Sequence, residues 1–271
     1  MASREAWIDA LKGAAILAVI LLHSFPNFSQ IPFFYLHIAQ ALPIFILLLG
    51  ANYYNSFKER YDGKFIKYYF ETLISKLIRF ILPIFFLLIV LRKDLLNSLG
   101  CFIKSDYCYP IYGPGDYFIL VLFQFILFSP ILVWLFRKNW KATLTSAFLV
   151  NLAYELSYAS LQVGVYHESI FRFIVLIVLG FWFSSEWYKK DLVKILAVFS
   201  MFYLLSLPFN NYLGGYIDRA ESVFAAFYTL FLVATFKEKY DERKSDWLLL
   251  WLGRISYYLF LIQMVFFSEG V

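Results

Sequence analysis

A chain of 271 residues that is 62% hydrophobic, 22% aromatic and only 16% charged carries more apolar surface than a soluble core can hide, since soluble domains run about 45–50% apolar and about 25% charged. With a mean hydropathy of +0.68, this excludes a soluble globular enzyme, a disordered chain and a disulfide-rich secreted module, and points to a polytopic membrane protein. The net charge of +5 is not a nucleic-acid footprint, because the cations sit in short clusters between apolar runs, as cytoplasmic loops require.

A hydrocarbon core about 30 Å thick needs roughly 20 helical residues per crossing. Nine segments meet this, near 6–25, 33–54, 70–91, 116–137, 141–160, 169–187, 191–209, 217–236 and 247–268. They predict an all-α transmembrane helix bundle, read as one domain over 1–271. The third belongs to a longer helical stretch that starts near Lys64. The connections 55–67, 137–141, 188–194 and 237–246 carry three or four Lys or Arg each, whereas 26–32, 161–168 and 210–216 carry none. Only 92–115, with Arg92, Lys93 and Lys104, blurs the alternation, which places the N-terminus in the cytoplasm. Arg4 and Lys12 flank the start of the first segment, and His23-Ser24-Phe25-Pro26 follows it without a small-x-small cleavage site, so it reads as an uncleaved membrane helix. Nine crossings leave the C-terminus outside.

Polar residues inside these spans are costly in lipid and mark bundle interiors. The first segment holds Asp9, Lys12 and His23. Lys12 and His23 are eleven residues apart, about 20° past three full turns, so they share a face about 16 Å apart along the axis. Asp9, three residues before Lys12, can neutralise it. Two readings stay open: a functional face, or a snorkelling lysine with an interfacial histidine. His37 and Gln40 stand at the outer end of the second segment. Lys76 and Arg79 share a face of the third, with Pro83 one turn on. They suit either an anion site or an ion pair with Asp9 or Glu71.

Cys101 and Cys108 lie in the 92–115 loop, as a disulfide or as two thiols, and no second ligand pair nearby suggests a metal. Asp116 and Gln124 belong to the fourth segment, Asn151 and Glu155 to one face of the fifth, and Arg172 enters the sixth from outside. Asp218, Arg219 and Glu221 open the eighth; Arg254 and Gln263 lie in the ninth. Several of these are on the outer side, which suggests a polar cavity opening outward, although each alone suits inter-helix hydrogen bonding.

Several stretches resemble the acyltransferase-3 family of integral membrane proteins. Arg4-x-x-Trp7-Ile8-Asp9-x-Leu11-Lys12-Gly13 leading to His23-Ser24 is similar to the family's opening, whose marker is a basic residue, ten residues, then His. Lys76-x-x-Arg79 with Pro83 resembles its basic pair, and Gln40-Ala41-Leu42-Pro43-Ile44-Phe45 ending at Gly50 its second helix. Gly113-Pro114-Gly115-Asp116-Tyr117-Phe118 leading to Gln124 resembles a stretch of some sugar O-acetyltransferases of the family, and Leu252-Gly253-Arg254-Ile255-Ser256-Tyr257 its penultimate helix. Departures are Leu-Gly in the second helix where many members have Ser-Gly, Gln263 where a His is common, and nine helices where ten are usual.

The resemblance implies transfer of an acyl group, usually acetyl, from acyl-CoA to a hydroxyl, often of a cell-surface glycan. His23 and Asp9 are then the catalytic candidates, with His23 as general base or as a transient acyl-His. Lys12, Lys76 and Arg79 would hold the donor's phosphates. His37, Gln40, Asp116, Gln124, Glu155 and Arg172 would bind the acceptor. The implied setting is a multi-pass protein of a bacterial inner membrane, with acyl-CoA as donor substrate and no permanently bound cofactor or nucleic acid. The competing classes are a transporter or flippase of a glycan precursor, and a non-catalytic scaffold.

Overall fold

The computed structural model describes residues 5–25, 34–90, 117–161, 169–207, 221–240 and 247–269. Among them are nine α-helices: α1 (Ala6–Ser24), α2 (Ala41–Arg60), α3 (Phe65–Val90), α4 (Tyr117–Lys138), α5 (Trp140–Leu161), α6 (Ile174–Phe183), α7 (Lys190–Ser206), α8 (Ala226–Lys239) and α9 (Trp247–Glu269). Three 3-10 turns precede α2 and α6, at Phe34–Leu36, Ile38–Gln40 and Ile170–Arg172. No described residue is in a strand. The architecture is the expected all-α bundle, as it must be where lipid offers backbone groups no partner outside the chain. Cys101, Cys108, Asp116, Asp218 and Arg219 lie outside the described residues.

Local chemistry sets the ends of the helices. α1 stops at Phe25, whose extended φ of −129° and ψ of 93° are what a following proline imposes. α2 begins at Ala41 rather than near 33, because the Gln40 amide draws the chain before it into 3-10 turns. Gln40 Nε2 donates to the Tyr35 carbonyl at 2.8 Å, and Gln40 Oε1 accepts from Thr229 Oγ1 at 2.6 Å. α2 runs past the apolar stretch to end in Lys58 and Arg60, cations that suit the negative end of the helix dipole. The chain then reverses through Gly63 at φ +91°. Asp62 accepts from the Lys64 backbone N–H at 3.1 Å and from Lys67 Nζ at 3.3 Å. These bonds, the Lys64 one first, hold its carboxyl below the usual carboxylate range.

The sixth segment departs most from expectation. In place of a span over 169–187 there is a 3-10 turn and a helix of only ten residues, about 15 Å long and half of a crossing. All ten residues of α6 are buried, and α2, α4, α5 and α8 surround it. Encased in protein, a half-length helix never offers its ends to lipid, and its all-round apolar sequence follows from that burial. Among the described residues, four stretches are long and apolar enough to cross a membrane by length and composition: Ala6–Ser24, Phe34–Arg60, Tyr117–Lys138 and Trp247–Phe267. The outer faces of α3 and α7 expose Ile74, Ile78, Leu82, Phe86, Ile195, Phe199 and Phe202, stripes suited to a lipid solvent.

Two helix crossings bring backbone against backbone. A Cβ on Gly13 would fall onto the Leu249 carbonyl, and one on Gly253 onto the Asp9 carbonyl, so α1 and α9 meet through glycine. Gly50 and Gly180 do the same for α2 and α6. Small residues at such contacts are how membrane helices gain close packing without a hydrophobic driving force between them. α1 and α9 run in the same direction: Arg254 reaches Asp9 toward one end, and the rings of His23 and Phe267 meet 6.0 Å apart at the other. Parallel packing puts the starts of α1 and α9 at the same end of the bundle.

The α1–α9 crossing is therefore intolerant of bulk. Gly253→Val should lower stability by about 3 kcal/mol, the upper end of typical overpacking costs. Thermal unfolding in detergent would read this, and an unchanged midpoint would refute the close approach.

Candidate active site

A cavity of about 470 Å³ lies between α1, α2, α3, α4 and α9. α1 supplies Lys12, Val19, Leu22 and His23 to its wall; α3 supplies Arg79 and Phe80; α9 supplies Gly253, Arg254, Ser256, Tyr257 and Phe260. Tyr117 and Phe118 of α4, Tyr35 of the first 3-10 turn, Phe45 of α2, and Glu221 complete it. Lys12 and His23 thus face one space, as their shared helix face requires. The α1–α9 glycine crossing forms part of the wall.

One end of the cavity is cationic. Arg254 Nε stands 3.6 Å from Asp9 Oδ2, whose carboxyl is buried. Asp9 is therefore coupled to Arg254, and Glu71 sits 3.9 Å from Lys67 Nζ. These are cations other than Lys76 and Arg79, the partners weighed from the sequence. The basic pair divides its roles. Arg79 lines the cavity, its guanidinium 5.9 Å from the Phe80 ring. Lys76 does not line it; its ammonium lies 5.9 Å from the centre of the Tyr53 ring. Lys12, Arg79 and Arg254 against the single carboxylate of Asp9 leave this end net positive, and such a concave, low-dielectric surface attracts anions.

His23 occupies the other end, half-buried and packed on Phe267, and Phe34 and Tyr35 line the same cavity. Asp9 is fourteen residues earlier on the same helix, about 21 Å along the axis. It acts on the cationic end and does not touch the imidazole.

Four of the expected acceptor-binding residues, Gln40, Gln124, Glu155 and Arg172, are not among those that line the cavity. Gln124 Oε1 accepts from the Ile170 backbone N–H at 2.8 Å, fixing the turn that leads into α6. Glu155 is buried and accepts from Asn151 Nδ2 at 2.7 Å, Ser222 Oγ at 2.8 Å and the Val223 backbone N–H at 2.8 Å. Arg172, also buried, donates to Glu221 Oε2 at 2.7 Å. Gln40 ties the second 3-10 turn to α8. His37 is exposed and does not line the cavity, although Ile38 and Ala39 do. Asp116 is outside the described residues.

Three wall residues carried too little signal in the sequence to be assigned to the site. Arg254 is one intramembrane cation among several until Asp9 is placed beside it. Glu221 is one of three charges at the head of a segment until Arg172 is placed behind it. Tyr257 is one of 21 tyrosines. Its hydroxyl donates to the Phe80 carbonyl at 2.6 Å, with the two rings edge-on at 5.2 Å, and so ties α9 to α3. The tie falls beside Arg79, whose carbonyl loses its intrahelical donor to Pro83.

A profile of the acyltransferase-3 family, described as an acyltransferase domain, matches residues 5–268. Among curated proteins and solved structures, none matches the chain.

The buried Arg172 should be intolerant of neutralisation. Arg172→Met leaves Glu221 and Glu155 without their opposing charge and should cost about 3–5 kcal/mol, read as an earlier unfolding transition in detergent. Wild-type stability would refute the pairing.

Proposed function

The chain belongs to the acyltransferase-3 family, and on that premise we propose that it carries an acetyl group from cytoplasmic acyl-CoA to a hydroxyl of a cell-surface carbohydrate. It is a membrane acyltransferase; the donor, the acceptor and the roles below are the proposal. The observation that carries it is one cavity with Lys12, Arg79 and Arg254 at one end and His23 at the other.

The donor's phosphates suit the cationic end, since guanidinium and ammonium groups make charge-assisted hydrogen bonds to phosphate oxygens. Lys12 and Arg254 lie in the first halves of α1 and α9, and α9 follows the Lys- and Arg-rich 237–246 connection, which supports a cytoplasmic approach by the positive-inside rule. About 16 Å of α1 separates Lys12 from His23, the scale of an extended pantetheine arm. Val19, Leu22 and Phe45 line the interval, an apolar passage for a thioester and its short acyl group.

A carbohydrate hydroxyl is a weak nucleophile at neutral pH, and an imidazole is the side chain suited to activate it. One nitrogen of His23 takes the hydroxyl proton as the acceptor oxygen attacks the thioester carbonyl carbon. The C–O bond forms, the C–S bond breaks, and the imidazolium returns its proton to the departing thiolate. The products are the O-acetyl ester and the free thiol. Lys76, behind the wall, adds positive charge to the donor's end without contact. The proposed setting is a bacterial inner membrane with the N-terminus in the cytoplasm, an orientation that the alternation of basic connections supports.

His23→Ala should abolish acetylation of the surface glycan at normal protein level, scored by glycan mass analysis beside a deletion strain. Wild-type acetylation would remove His23 from catalysis. Arg79→Gln and Arg254→Gln should each weaken acetyl-CoA binding by about tenfold or more, and Lys76→Gln by less. Equal effects of all three, or none, would refute the division between wall and second layer.

A further inference from the structure

We propose that Glu221 is a specificity-determining residue that hydrogen-bonds paired hydroxyls of the acceptor, and that Arg172 and Glu155 are positioning residues that hold it at the cavity wall. This rests on the acyl-transfer function proposed above and adds to it the part of the site that selects a polyol.

The construction around Glu221 is out of proportion to a packing role. Two buried ionisable side chains from two elements converge on three consecutive residues. Arg172, only 2% exposed at its side chain, holds the Glu221 carboxylate at 2.7 Å. Glu155 holds the next two residues, through Ser222 Oγ and the Val223 backbone N–H, both at 2.8 Å. Asn151 in turn orients Glu155 at 2.7 Å. Burying such groups is expensive, and a well-packed apolar cluster would be as stable or more so. What the network achieves is a fixed carboxylate that lines the cavity while its side chain stays 19% exposed.

A carboxylate accepts hydrogen bonds only. Oε2 takes the Arg172 donor, and further lone pairs can take two hydroxyl donors of one sugar. The Arg172 guanidinium holds the Glu221 carboxylate in place from behind. The carboxylate also gives this region of the wall negative charge, so the polyanionic donor is directed to Lys12, Arg79 and Arg254.

The test uses the full chain in nanodiscs, with acetyl-CoA as donor and two acceptor probes: methyl α-D-glucopyranoside, which has adjacent hydroxyls, and ethanol, which has one. The wild type should prefer the glucoside in kcat/KM. Glu221→Gln should reduce that preference by about tenfold or more, the worth of hydrogen bonds to a charged acceptor, with the KM for acetyl-CoA unchanged. Because this variant takes the Glu221 charge away from Arg172, the double variant Arg172→Met/Glu221→Gln is included. It removes the Arg172–Glu221 pair as a unit and should be more stable than Arg172→Met alone without recovering the preference, whereas Glu221→Asp should recover part of the preference. An unchanged preference in Glu221→Gln, or a rise in the acetyl-CoA KM equal to that of the acceptor, overturns the assignment. Wild-type protein that acetylates neither probe overturns the acyl-transfer proposal itself, and this inference with it.

Discussion

The close crossing of α1 and α9 is the constraint on which the cavity depends. With glycine on both sides of the contact, backbone meets backbone, and the crossing sets Arg254 of α9 against Asp9 of α1. Had either position carried a side chain, the helices would stand farther apart and Arg254 would leave both Asp9 and the cavity. Because the helices are parallel, the same packing brings Phe267 to His23. One crossing therefore fixes both ends of the cavity. The Gly50–Gly180 contact does the equivalent work one layer in, seating the short, wholly buried α6 against α2.

Around that crossing the charges are sorted by depth. Lys12, Arg79 and Arg254 reach the cavity at one end, while Lys76 lies behind on Tyr53. Elsewhere Glu221 reaches the wall, with Arg172 and Glu155 buried behind it. In a low dielectric each charge acts strongly and must be opposed. The polar residues thus form two linked layers, one that faces the cavity and one that orients it.

Much of this was legible in the sequence, and the limits have physical causes. The all-α bundle follows from apolar segment length and from the alternation of basic connections. The shared face of Lys12 and His23 follows from helix periodicity alone. Depth behind the wall was not legible: Gln40, Gln124, Glu155 and Arg172 look like cavity residues because polarity in lipid marks an interior without saying which layer of it. The half-length α6 was also hidden, since an apolar run buried in protein reads the same as one facing lipid. Pairs joined across the chain, such as Asp9 with Arg254 and Glu221 with Arg172, leave no local signal. The acyltransferase-3 resemblance carried on Lys12, His23, Lys76 and Arg79 agrees with the family match over residues 5–268.

The central claim is that a single cavity holds the donor at its cationic end and delivers the acyl group to His23. A cryo-electron microscopy structure with a non-hydrolysable acetyl-CoA analogue tests it most directly. Phosphate density against Lys12, Arg79 and Arg254, with the acyl end beside the His23 imidazole, is the expected result. Density for the analogue outside this cavity, or with its acyl end turned away from His23, would contradict it.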